Sequence, residues 1–235
     1  LAEGESHVPF LRVDLPDLVP TLHISRQFIM NMMGRTKNPY SFSDREVYEE
    51  DLVAYLQDKK LHLPLSWYYL LKAQALYLFE NYSDALQTIV KSSYLIQSDP
   101  SQIQTAEHDF YYALILAAIY PTANQSTQEY YWKQLLTYQD KLQECATDCP
   151  PHFQHKYLLV RAEMARLLEN DHQAMNLYDE AILSARENEF IQNEALANEL
   201  LAKFWLSKGK EKYAQIHFTD AYIGYNKWGA VSKMK

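Results

Sequence analysis

The chain has 235 residues, 48% of them hydrophobic, and a formal net charge of −8 at pH 7. That is ample apolar material for a sizeable core, while the negative charge argues against a chain-wide attraction for nucleic acid or an anionic membrane, both of which need basic surface. Five glycines are few against an average usage of about 7%, which disfavours phosphate-cradling loops and many tight turns and suits long helices.

Cys145 and Cys149 are the only cysteines, too few for a disulfide framework, and no apolar run approaches the length of a membrane span. A cytoplasmic location without membrane insertion is expected. The opening Leu-Ala-Glu-Gly-Glu-Ser-His lacks the charged-then-apolar pattern of a leader, and the absence of an initial Met suggests a piece of something longer.

Residues 1–21 hold Pro9, Pro16 and Pro20 with little periodicity and read as an irregular N-terminal arm. From Leu22 to Arg35, Leu22, Ile24, Phe28, Ile29, Met32 and Met33 fall near one helical face, with Gly34 as the stop. Ser43 and Glu46 have capping-box spacing, which predicts a helix over 44–59. Pro64 breaks the chain, Leu65 to Tyr82 reads as a longer helix, and Ser83 with Asp84 starts its partner, which ends before Asp99-Pro100. Further helices are predicted over 103–120, stopping at Pro121, and over 127–145, stopping at Cys149-Pro150-Pro151. The last four run over 152–169, 173–188, 192–208 and 210–227. No segment alternates as a strand does. The fold class is all-α: a right-handed solenoid of about four antiparallel helix pairs plus an N-terminal pair, forming one domain over 22–235.

Self-comparison exposes a repeat. When Ala85, Ala174 and Ala214 are aligned, Ala73, Ala162 and Ala202 lie twelve residues before them, Ile89, Tyr178 and Phe218 four after, and Ser92, Ala181 and Ala221 seven after. Small residues let two helices approach closely, and the bulky residue fills the groove to the next pair. Gly209 sits five before Ala214, where a tight turn is needed; Glu80 and Glu169 hold that place in the other units. The alanines are 89 and 40 apart, so an unmarked pair around 103–147 would split the longer interval.

These offsets are similar to the tetratricopeptide pattern of a small residue in the first helix, a turn glycine, then Ala and an aromatic in the second. A closer resemblance rests on His108-Asp-Phe-Tyr-Tyr-Ala-Leu-Ile-Leu-Ala-Ala-Ile-Tyr-Pro121, His155-Lys-Tyr-Leu-Leu-Val-Arg-Ala-Glu-Met-Ala-Arg166, Ala174-Met-Asn-Leu-Tyr-Asp-Glu-Ala-Ile182 and Asn193-Glu-Ala-Leu-Ala-Asn-Glu-Leu-Leu-Ala-Lys-Phe204. With Gly34-Arg-Thr-Lys37 and Tyr40-Ser-Phe-Ser-Asp44, they resemble the helical region of very large bacterial sensor proteins. There a serine/threonine-kinase-like domain and an AAA-type ATPase precede the array, and a GAF domain and a histidine kinase follow it. The resemblance implies a protein-interaction and signal-relay role in two-component signalling, with a protein or peptide partner, foremost other domains of the same polypeptide. A homodimer is allowed.

None of that family's catalytic motifs lies in this chain. There is no phosphate-binding loop, no kinase signature, no G-x-S-x-G elbow and no H-E-x-x-H, so no enzyme activity, cofactor or metal is expected of it. The cluster Cys145, Cys149, His152, His155 holds four soft ligands, but its spacing is not a standard zinc pattern, and packing at a helix junction is the expected role. Asp44, Glu46, Glu49, Glu50 and Asp51 are expected on a solvated face, as are the seven lysines from Lys203 to Lys235. His108-Asp109 imitates an acid/base pair without an assignable nucleophile. The aromatic rows are expected first as core and inter-repeat packing; where one is exposed, the interaction candidates are Trp67, Tyr68, Tyr111, Tyr112, Tyr131 and Trp132, as a peptide face or, in the rival reading, a small-ligand pocket between helices. The repeat-packing set is Ala73, Ala85, Ala162, Ala174, Tyr178, Ala181, Ala202, Gly209, Ala214, Phe218 and Ala221.

Overall fold

The computed structural model describes residues 17–96 and 102–234, and these form ten α-helices without a strand. They are α1 (Leu18–Met32), α2 (Glu49–Asp58), α3 (His62–Leu78), α4 (Tyr82–Ile96), α5 (Gln102–Ile119), α6 (Gln125–Asp148), α7 (Pro150–Leu167), α8 (Asp171–Glu187), α9 (Ile191–Ser207) and α10 (Glu211–Trp228), with 3-10 turns at Tyr120–Thr122 and Val231–Met234. The expected stop before Asp99-Pro100 lies outside the described residues, as does the arm through residue 16; Leu18 to Thr21 of that arm are already helical. Among the described residues no helix is long and apolar enough to cross a membrane.

The helices pack as hairpins: α3 on α4, α5 on α6, α7 on α8, α9 on α10. The interval the repeat left unmarked is filled by α5 and α6. Each first helix also touches the next first helix, so α3, α5, α7 and α9 line the inner side of the stack. Ala73, Ala85, Ala162, Ala174, Ala202 and Ala214 are at most 2% exposed, and Ala181 and Ala221 are also buried. Helix axes can come close only where no side chain is interposed. In the last pair the approach is close enough that a β-carbon on Gly224 would stand 2.7 Å from that of Ala195. The turns keep one geometry despite different residues: Glu80 (φ 63°), Glu169 (φ 57°) and Gly209 (φ 68°) are all left-handed. Two glutamates thus hold a conformation that only glycine adopts without strain.

Several helix starts differ from those expected. Pro64 and Pro150 lie within the first turns of α3 and α7 instead of before them, since the amides a proline lacks have no partner there anyway. The Ser43/Glu46 capping box does not form. Asp44 Oδ1 instead accepts from the amides of Glu46 and Val47 (both 2.8 Å), Ser43 Oγ accepts from the amide of Glu49 (2.9 Å), and the helix begins at Glu49.

The N-terminal helices also depart from expectation, because α1 and α2 pack on α3 rather than as a hairpin of their own. The segment joining them is pinned by the buried Asn31, whose Nδ2 lies 3.0 Å from both Thr36 Oγ1 and the Ser41 carbonyl. The other end of the chain returns to the same helix. Ser232 Oγ lies 2.9 and 2.8 Å from the carbonyls of Asn31 and Met32, Trp228 packs at 6.2 Å on Phe28, and Lys233 Nζ donates to the Leu78 carbonyl. The two ends of the stack are therefore tied together.

Candidate functional site

Three glutamates buried among apolar helices organise the polar interior. Glu49 accepts from the Tyr68 hydroxyl (2.6 Å), the Phe42 amide (2.9 Å) and the Lys72 ammonium. Glu163 accepts from the Tyr178 hydroxyl and from Arg166 Nη2 (2.6 Å) and Nε (3.2 Å). Glu199 accepts from Lys203 (2.6 Å), Lys233 (2.9 Å) and the Tyr225 hydroxyl (2.6 Å). A buried carboxylate is tolerated only when paired and hydrogen-bonded. Burial pushes the Glu49 and Glu199 carboxyls up, but their ammonium partners outweigh it and hold both below the usual range. Burial likewise opposes charge on Arg166, and Glu163 more than restores it.

This arrangement corrects two expectations. Glu49 belongs to the interior, not to a solvated acidic face, and Lys233 is seated against Glu199 with its side chain 10% exposed, not on a solvated lysine face. In the sequence the only trace is a glutamate three or four residues before a cation inside apolar helices, at Glu163/Arg166 and Glu199/Lys203. The tyrosine partners come from other helices and could not be paired by spacing.

The aromatic candidates do not converge. Tyr68, Tyr111 and Tyr112 are buried. Tyr111 faces α3, its hydroxyl 2.9 Å from Gln74 Nε2, whereas Tyr112 stacks at 4.8 Å on Tyr138 of α6, and burial pushes its hydroxyl up to about 12. Trp67, Tyr131 and Trp132 are half-buried against the core, the first on α3 and the others on α6.

His108 has a hydroxyl partner that sequence could not assign. Ser93 Oγ lies 2.8 Å from Nε2, Asp109 Oδ1 lies 3.0 Å from Nδ1, and Lys141 reaches Asp109 Oδ2 at 3.5 Å. The order matches an acyl-transfer relay, yet Ser93 sits inside α4, where its hydroxyl also lies 3.2 Å from the Ile89 carbonyl and its backbone amide serves the helix. Acyl transfer further needs donors aimed at a developing oxyanion. The relay joins α4, α5 and α6. At the α6–α7 junction His155 is 1% exposed and lies 4.4 Å from the Phe190 ring, and burial, then Lys156 and His152, pull it down to about 3. Burial raises the Cys145 thiol. Among the described residues no group of three or more His, Cys, Asp or Glu side chains is placed to hold a metal.

On the other side of the stack, α10 has an outer face open to solvent. Tyr213, Ile216, Phe218, Tyr222 and Ile223 are each between 38 and 57% exposed. Comparisons with protein-family models, curated proteins and solved structures find no match. Internal register is then the best guide to that face. Phe218 and Tyr222 stand forty residues after Tyr178 and Ile182, which are buried at 0 and 7%, and Phe204 of α9 packs on Tyr178 at 5.8 Å. Phe218, by contrast, is 38% exposed.

Proposed function

We propose that this array is a non-catalytic protein-interaction and signal-relay module, and that α10 docks a helix pair from another domain in the place the next repeat would take. The observation that carries the reading is the register of Phe218 and Tyr222, which matches positions buried under α9 one repeat earlier. Exposed apolar side chains at positions that the preceding repeat buries are what a docked helix pair would cover. The occupant is an amphipathic hairpin with a short apolar face like that of α9, where Leu196, Leu200 and Phe204 are buried.

A relay role is supported by the tie between the ends of the stack. Force on α10 reaches α1 through Trp228 on Phe28 and Ser232 on the last carbonyls of α1. The resemblance to the helical region of bacterial sensor kinases supplies the setting, in which the docked pair belongs to a neighbouring domain of the same polypeptide.

The test combines light scattering, calorimetry and hydrogen exchange on the chain mixed with the domains encoded beside it. Binding that slows exchange in α10 and is lost in Phe218→Glu/Tyr222→Glu supports the reading. Twice the 27.6 kDa mass, formed through α10, would make a second copy the occupant and overturn the hairpin. Unchanged exchange in α10 would overturn the docking altogether.

A further inference from the structure

On the inner side, the C-terminal ends of α3, α5, α7 and α9 meet the start of α4 around a pocket of about 200 Å³, lined by Tyr77, Tyr82, Glu163, Arg166, Lys203 and Phe204 among others. The charges around it balance: Glu80, Glu163 and Glu199 against Arg166, Lys203 and Lys233. Its hydrogen-bonding capacity does not balance.

The oxygens of the two buried carboxylates are all engaged. Both oxygens of Glu163 are taken by Tyr178 and Arg166, and both of Glu199 by Lys203, Lys233 and Tyr225. The donors are not. Arg166 commits Nε and Nη2 to Glu163, with Nη2 also 3.4 Å from the Ala117 carbonyl, and its guanidinium is hydrogen-bonded to the Tyr178 hydroxyl as well. Lys203 uses two of its three N–H groups, on Glu199 and on Glu80 at 2.7 Å. The hydroxyls of Tyr77 and Tyr82, whose rings lie 5.5 Å apart, have no hydrogen-bond partner among the described residues. Burial raises both phenols, so each keeps its proton and stays a donor. Opposite these groups stand Ala118, Leu200 and Phe204. The pocket is open to solvent at Lys203, whose side chain is 34% exposed.

Three unspent donors, one of them an ammonium N–H, facing a short apolar wall ask for a ligand with two acceptor oxygens and a small hydrocarbon tail. We propose that this pocket binds a small aliphatic carboxylate, held by Lys203, Tyr77 and Tyr82 beside the Arg166 guanidinium, with its tail on Ala118, Leu200 and Phe204. The balanced charge means that directed hydrogen bonds, not a net field, supply the affinity, which is expected on the order of a millimolar. The inference is independent of docking on α10, and either can fail alone.

Propionate is the probe, followed by ligand-observed NMR and by thermal unfolding, since a ligand that binds only the folded state must raise the transition temperature. The neutral isostere propionamide and inorganic phosphate serve as comparisons. Propionate should bind at least tenfold more tightly than propionamide, and more tightly than phosphate, which has no tail. Tyr82→Phe, which removes an unpartnered hydroxyl and so leaves the fold intact, should weaken propionate several-fold, and Ala118→Leu, which fills the pocket, should abolish binding. No binding at 20 times the expected dissociation constant, equal binding of propionamide, phosphate binding as tightly as propionate, or propionate binding unchanged in Tyr82→Phe would each overturn the assignment.

Discussion

Acidification should weaken this protein through His155. In the folded state burial holds the ring near 3, against an ordinary 6.5 in the unfolded chain, and its neighbours offer no relief: Nδ1 has no partner, and Lys156 Nζ stands 3.4 Å from Nε2 while pairing with Glu107. Because the folded value lies below the unfolded one, the unfolded state takes up the extra proton. Stability is therefore complete above about 6.5 and is lost as the pH falls towards 3. The loss is about 1.4 kcal/mol per pH unit, or roughly 2 kcal/mol between pH 7 and pH 5, against a typical domain stability of about 5–15 kcal/mol. His155→Phe keeps a ring against Phe190 and removes the titration. Urea unfolding followed by far-UV circular dichroism at both pH values, in the two proteins, isolates the effect, since His217, Asp179 and the buried glutamates are common to both. The variant should lose about 2 kcal/mol less than the parent. Equal losses would refute the reasoning.

Gly224→Ala should destabilise by about 1–2 kcal/mol in the same assay, even though alanine is the better helix former, because the new carbon meets Ala195 at 2.7 Å. Glu169→Gly should instead stabilise by about 0.5–1 kcal/mol by relieving a left-handed backbone, and a lowered denaturation midpoint would show that the turn is not strained. Ser93, set inside α4, should stay unlabelled by a fluorophosphonate under conditions that label an active serine hydrolase; stoichiometric labelling would make the Ser93–His108–Asp109 relay catalytic.

The helices and their pairing were legible because they depend on local signals. Periodic apolar faces, prolines and the small residues around Ala85, Ala174 and Ala214 each act within one hairpin. The turn was legible even where its residue was wrong for it, since Glu80 and Glu169 stand where Gly209 does and adopt the same backbone. Long-range closure was not legible. Ser232 meets Asn31 across about two hundred residues, and nothing in either segment announces the other. Burial of charge was equally hidden: Glu49 sits among four other acidic residues, and the Phe42 amide with Tyr68 and Lys72 of α3 sets it apart from them. The aromatic rows pack, as expected of most such rows, but adjacency did not show where, because neighbours such as Tyr111 and Tyr112 point to different helices.

The central claim is that α10 receives a helix pair. A photoreactive phenylalanine analogue at position 222 of the full-length gene product tests it most directly, with position 94, on α4 and 74% exposed, as the control. The account predicts an efficient crosslink from position 222 to the apolar face of a helix hairpin in another domain, and none from position 94. No crosslink from position 222, or the same products from both positions, would contradict it.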